Sequence, residues 1–193
     1  EVNGWKIGSN ENLSEAYLSG ADLTGANLSL SNLSGADLSG SSLLYSNLTG
    51  ADLSGANLTG ADLSHSDLSR ANLSGSQLNS ANFTRASLSK ANLEGCYLSE
   101  TNFFRANLVG IDFTNAQLAD VNFSDSNLSE SDFSGADLSN ANLEYAGFCE
   151  ADLSNANLSG AYLGGACLSG ANLSGANFSR ANLSGARLEG TDL

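Results

Sequence analysis

Residues 21–30 read Ala21-Asp22-Leu23-Thr24-Gly25-Ala26-Asn27-Leu28-Ser29-Leu30, two units of five with a leucine at the centre of each. Steps of five from Leu23, in both directions, meet only Leu or Phe from Leu13 to Leu193, 37 centres in succession. Seven are aromatic: Phe83, Phe103, Phe113, Phe123, Phe133, Phe148 and Phe178. From Leu18 onward a residue that is nearly always small stands two places before the centre. Of the 36 such sites from Ala16 to Thr191, 24 are Ala and 7 are Ser, and the rest are Cys96, Thr101, Ile111, Val121 and Thr191. Asn or Asp usually precedes the centre, and Ser then Gly usually follow it.

A period of five matches neither the 3.6 residues of a helix nor the two of a strand. On a helix, successive centres would be spread around the whole surface, and the many glycines would each cost about 1 kcal/mol. On a plain strand they would alternate between faces. The pattern requires a backbone that turns once per unit so that every centre points inward. Gly and Ser after the centre supply the turn chemistry.

These units, with Ala171-Asn172-Leu173-Ser174-Gly175, resemble the pentapeptide-repeat family over residues 11–193. The resemblance implies an all-β solenoid, a right-handed quadrilateral β-helix with four faces and 20 residues per coil. About nine coils at ~4.8 Å each make a rod near 43 Å long. The centre and the small residue before it fill the interior, and the other three positions face solvent. One coil buries too little to fold alone, so stacking is required. Residues 1–10 lie outside the repeat, and Val2, Trp5 and Ile7 are expected to cap the N-terminal end as a separate segment. Leu193 is itself a centre, so the last coil is expected to be uncapped and to allow end-to-end self-association. Glu1 in place of an initiator Met leaves the compartment open: cytoplasmic, or lumenal or secreted if Glu1 is a processed terminus.

Seven Lys and Arg face 21 Asp and Glu, for a net charge of -14. Such a surface repels nucleic acid and anionic membranes and attracts basic protein surfaces. No stretch has the length of a membrane span. Three cysteines do not suggest a disulfide framework.

With 20 residues per coil, residues 20 apart stack. The face centred on Leu13, Leu33 and Leu53 (the first) carries Asp112, Asp132 and Asp152 as vertical neighbours, an arrangement with a repulsive cost. The outward column of the third face reads Gly25, Tyr45, His65, Arg85, Arg105, Asp125, Tyr145, Gly165, with Phe104 beside it. The matching column of the fourth face includes Arg70 and Lys90. Tyr45, His65, Arg70, Arg85, Lys90, Phe104 and Arg105 therefore form a candidate interaction patch of the residue types that carry interface energy. Adjacent acidic residues, Asp125, Glu130, Glu144 and Glu150, offer intramolecular charge pairing instead.

The pattern argues against an enzyme. His65 is the only histidine, and a convex rod is expected to lack a pocket in which a Ser-His-Asp set could be desolvated. Cys96 takes an inward small position and is expected to be inert. Cys149 and Cys167 lie two residues out of vertical register, an expected separation of roughly 8 Å that is too long for an easy disulfide. No zinc-ligand spacing, cofactor motif or phosphate loop is present. Three roles are compatible: a rigid acidic rod that presents side chains to a protein partner; a spacer within a larger secreted or cell-surface protein; and, from the resemblance, a DNA-mimicking modulator of a type II topoisomerase such as gyrase.

Overall fold

The computed structural model describes residues 1–192. Its chain turns every five residues. The N–H of each small residue donates to the carbonyl of the preceding centre, as Ala16 does to Leu13 at 3.1 Å. Every fifth residue from Asn10 to Gly190 has a positive φ. One positive φ at the third position of a four-residue turn is the signature of a type II turn, which glycine fits without strain. This is the physical reason for the recurrent Gly two places after the centre.

The Asn or Asp before the centre has a second local role. Its side-chain oxygen accepts the backbone N–H two residues on, as Asp52 does from Ser54 at 3.0 Å. That is the Asx turn, for which only these two residue types have the right reach. Asn side chains then link the coils. Asn57 donates to Asp37, Asn72 to Asp52 and Asn122 to Asn102, at 3.3, 3.1 and 2.8 Å, each 20 residues apart.

Successive coils pair in parallel through residues 20 apart, from Asn12 with Asn32 to Asn172 with Asp192. The N–H of most centres up to Leu173 reaches the carbonyl just before the centre one coil on, as Leu13 does to Asn32 at 2.7 Å. Four turns per 20 residues give each coil four sides. Each side contributes a single bridging residue, and among the described residues no extended strand forms. The turn at every fifth residue leaves no room for one.

The centres from Leu13 to Leu173 are buried, and so are most of the small residues. Phe83, Phe103 and Phe123 stack as one column with ring centroids 5.1 Å apart, and Phe113 and Phe133 stack as another at 4.8 Å. The columns meet edge-on at Phe113–Phe123, 5.7 Å. At the N-terminal end, Val2 and Trp5 pair across a turn in which Asn3 and Gly4 both have positive φ, a type I′ hairpin. Val2, Trp5 and Ile7 pack against the core. At the other end Leu183 is only partly buried and Leu188 is exposed. The expected final centre, Leu193, lies outside the described residues.

The vertical aspartates have compensation. Asp112, Asp132 and Asp152 accept the N–H of Thr114, Ser134 and Ser154 at 2.9, 2.8 and 2.8 Å. The Thr114 and Ser154 hydroxyls hold the Asp112 and Asp152 carboxyls below the usual aspartate range. These carboxylates close turns.

The ladder is not continuous. Between residues 91–100 and 111–120 the first and second faces part. Among the described residues, Asn92 has no bridge to Asp112 and Tyr97 none to Gln117. The backbone N–H groups of Lys90, Leu93, Gly95, Leu98 and Glu100 lack their partners one coil on, and those of Asp112 and Gln117 lack theirs one coil back. The third and fourth faces of the same coils stay paired, through Asn102–Asn122 and Asn107–Asn127. A cleft of about 710 Å³ results, lined among others by Leu93, Cys96, Leu98, Phe113, Ala116 and Gln117. The expectation of a rod without a pocket is corrected here. One bulky inward residue stands beside the opening. Ile111 and Val121 are the two branched aliphatic residues at small positions; Ile111 lies two residues before Phe113, which lines the cleft, whereas Val121 is on the third face, which stays paired. Both are buried. Extra methylenes at a position sized for Ala displace backbone.

Candidate functional site

The left-handed position is where this chain displays its large side chains. L-residues there cost about 1–2 kcal/mol relative to right-handed conformations. On the first face the position is mostly Gly: Gly35, Gly55, Gly75, Gly95, Gly135 and Gly175. On the third face six successive coils place Tyr45, His65, Arg85, Arg105, Asp125 and Tyr145 there, with φ between 57° and 58°. Arg70 and Lys90 hold the same position on the fourth face, with φ of 62° and 60°.

The backbone ladder fixes this column. Tyr45 donates its N–H to Ser64, His65 to Thr84, Arg85 to Phe104 and Arg105 to Ser124, all within 3.1 Å. The side chains then meet along the rod. The Tyr45 and His65 rings lie 4.9 Å apart at 36°. The Arg105 guanidinium sits 4.8 Å from the Phe104 ring centroid, and its Nε is 3.6 Å from an Asp125 carboxylate oxygen. The Tyr145 ring lies over Gly165, where an added Cβ would come within 2.6 Å of it. The expected intramolecular pairing is thus met at Arg105. Among the described residues Arg70, Arg85 and Lys90 form no ion pair, and their side chains are exposed. The structure brings Phe104, Arg105 and Asp125 together, and separately Tyr45 and His65. Arg70 and Lys90 stand on the neighbouring side.

Two features were not legible at the level of columns. One is the cleft, beside which Ile111 is the branched residue at a small position. The other corrects the separation expected for two cysteines. Cys149 Sγ and Cys167 Sγ are 3.0 Å apart. The residue after a centre curls toward the residue before the centre one coil on, so side chains 18 apart touch. Thr24–Ser42 and Ser69–Ser87 do the same at 2.8 and 3.0 Å. Cys96 is inward as expected; its thiol donates to the Leu73 carbonyl, and burial pushes its pKa up. Among the described residues no three metal-ligating side chains converge, and no helix is long and apolar enough to cross a membrane.

Comparison with known proteins agrees with this architecture. The family model for pentapeptide repeats matches residues 12–43, 46–85 and 156–193 in 8 copies, and a related pentapeptide-repeat-region model matches 66–143. HetL, a pentapeptide-repeat protein involved in heterocyst differentiation regulation in the cyanobacterium Nostoc sp. strain PCC 7120, is 38% identical. The match covers 95% of this chain and 87% of HetL, with a TM-score of 0.55. The protein AT2G44920 of the Arabidopsis thaliana thylakoid lumen is 40% identical over 53% of this chain and 72% of its own, with a TM-score of 0.51. QnrB1, a plasmid-mediated fluoroquinolone resistance protein, shares the fold at 22% identity, covering 95% of this chain and 88% of its own with a TM-score of 0.59. No curated protein matches the chain. None of the matches indicates a catalytic family. The five-residue period, the 20-residue parallel pairing and the matched models agree: this chain belongs to the pentapeptide-repeat family.

Proposed function

We propose that this protein is a non-enzymatic interaction module, a rigid acidic rod whose third face, with Arg70 and Lys90 beside it, docks on a protein partner. The coil is read as the right-handed quadrilateral β-helix of its family, and residues 1–10 as its N-terminal cap. One observation carries the reading. Six successive coils hold Tyr, His, Arg or Asp at a left-handed position where glycine is unstrained. A chain that uses glycine freely on the first face gives up stability along this column, and strain of that kind concentrates where side chains serve a purpose. The partner's chemistry follows from the column. Arg85 and the neighbouring Arg70 and Lys90 are free to meet carboxylates, while Tyr45, His65 and Phe104 offer aromatic surface.

The test uses Arg85→Gly with Arg105→Gly, and Phe104→Ser added in a triple variant. Glycine relieves the backbone at both arginines, so thermal stability should hold or rise by up to about 1 kcal/mol per site. Partners captured from a lysate of the source organism should be lost from the variant, with circular dichroism unchanged. Equal capture by both proteins would leave the spacer role as the better one.

A second reading rests on the net charge of -14 alone: mimicry of DNA toward a type II topoisomerase. A gyrase supercoiling reaction unaffected by molar excess of the protein removes it.

A further inference from the structure

The two positions that flank each centre are occupied mostly by hydroxyls, amides and carboxylates. At one place on the fourth face the chain departs from that chemistry. The column before the centres reads Asn107, Asn127, Gly147, Cys167, Arg187. Gly147 has no side chain with which to close an Asx turn. Two residues on stands Cys149, in place of the usual serine. Its thiol meets that of Cys167, one coil further, at 3.0 Å. The contact is set by the coil itself, because Ser69 and Ser87 occupy the same two positions on the same face, also 18 residues apart. Backbone bonds hold both partners. The Cys167 N–H donates to Ala146 at 2.9 Å, its carbonyl accepts from Phe148 at 2.7 Å, and the Cys149 carbonyl accepts from Glu130 at 3.0 Å. Both side chains are half-buried, so small reagents reach them.

We propose that Cys149 and Cys167 are a thiol–disulfide exchange site, which a low-molecular-weight disulfide oxidises to a bond stapling two successive coils of the fourth face. The two sulfurs have distinct roles. The Cys149 thiol, the Ser169 N–H and hydroxyl and the nearby Arg187 charge all favour a thiolate at Cys167, whose pKa is lowered to about 7. The hydrogen bond to Cys167, with burial, raises that of Cys149. Cys167 stands next to Arg187 in the ladder, and the Ser169 hydroxyl lies 3.6 Å from its sulfur, so Cys167 is assigned as the attacking sulfur and Cys149 as the resolving one. The Cys167 thiolate attacks one sulfur of the reagent disulfide and expels a thiolate, leaving a mixed disulfide on Cys167. Cys149 then gives up its proton to solvent and attacks Cys167 Sγ. The mixed disulfide breaks, and the second reagent thiolate leaves. Two protein thiols are oxidised, and one reagent disulfide is reduced to two thiols. Closing the bond requires the sulfurs to approach by about 1 Å, within the reach of side-chain rotation. Cys96, inward and hydrogen-bonded to Leu73, takes no part.

The test is equilibration of the intact chain in glutathione buffers of increasing oxidised fraction. An acid quench, alkylation and peptide mapping by mass spectrometry follow. The expected result is one intramolecular Cys149–Cys167 disulfide, reversed by dithiothreitol, with Cys96 alkylated throughout. Cys149→Ser should accumulate a glutathione adduct on Cys167. Cys167→Ser should leave Cys149 free at the same buffer ratio. At pH 7, limiting iodoacetamide should label Cys167 at least several-fold faster than Cys149 or Cys96. Three cysteines that remain equally alkylated at every ratio would overturn the proposal. So would stable adducts on both cysteines of the unaltered chain, or links only between molecules.

Discussion

The third face and the first face run the length of the same rod with the same repeat, yet they differ in two respects. The third face is laddered without a gap and carries six large or charged residues in succession at its left-handed position. The first face is mostly glycine there, and its ladder opens between Asn92 and Asp112. The difference shows that continuity of the coil does not depend on unstrained turns. The first face parts together with the second, whose left-handed positions at the opening are Glu100 and Asp120, and it parts beside Ile111, which stands in a position sized for alanine. Outward decoration and inward volume are thus separate variables.

Removal of core atoms on each side gives the largest expected effect. Leu63→Ala, deep in the third face and hydrogen-bonded to Asn82, should cost about 2–5 kcal/mol in urea unfolding. Leu93→Ala, on the first face at the cleft, should cost about 2 kcal/mol or less, since one side of that centre has already lost its packing partners. Equal costs would break the comparison.

The next effect concerns the cause of the opening. Ile111→Ala would ordinarily destabilise a core by about 2–5 kcal/mol. Here relief of overpacking should hold the loss to about 1 kcal/mol or turn it into a gain. Amide hydrogen exchange sharpens the point. In the native chain Leu93 and Leu98 should exchange on the order of 100-fold faster than Phe103 and Leu108, which keep their partners. In the Ile111→Ala variant that gap should shrink. An unchanged gap would place the cause elsewhere.

The smallest effect is acid lability of the first face. The folded pKa of Asp152 is lowered below 3.8, chiefly by the Ser154 hydroxyl, so the protonated form belongs to the unfolded chain. Its contribution is present above the unfolded pKa and lost as pH falls through the folded one. Asp152→Asn keeps the turn acceptor and has no proton to take up. Its melting temperature should therefore fall less than that of the native chain between about pH 5 and about pH 3. The difference should be no more than about 0.5 kcal/mol, because the carboxylate is only partly buried and stays screened by solvent.

The inward and outward assignment was legible in residues 21–30 and their repeats, because a five-residue turn leaves only one inward centre per unit. The columns followed from a 20-residue coil, which the family resemblance supplied and the Asn12–Asn32 pairing shows. The Phe columns and the Arg105–Asp125 pair followed from it in turn. The thiol contact did not, because columns count residues 20 apart, whereas the curl of the turn joins residues 18 apart. The cleft escaped for a different reason. The five-residue pattern runs through it without a break in the centres, and the loss of pairing between coils leaves no mark in the repeat.

The amino-acid sequence alone determined the period, the composition of the core and the chemistry offered to solvent. Each of these follows from one unit and its immediate neighbours. The tertiary structure decided which coils close, which cysteines touch and which basic side chains remain without an ion pair. Those outcomes depend on distances between residues 18 to 20 apart in different coils, and only the folded stack brings them together.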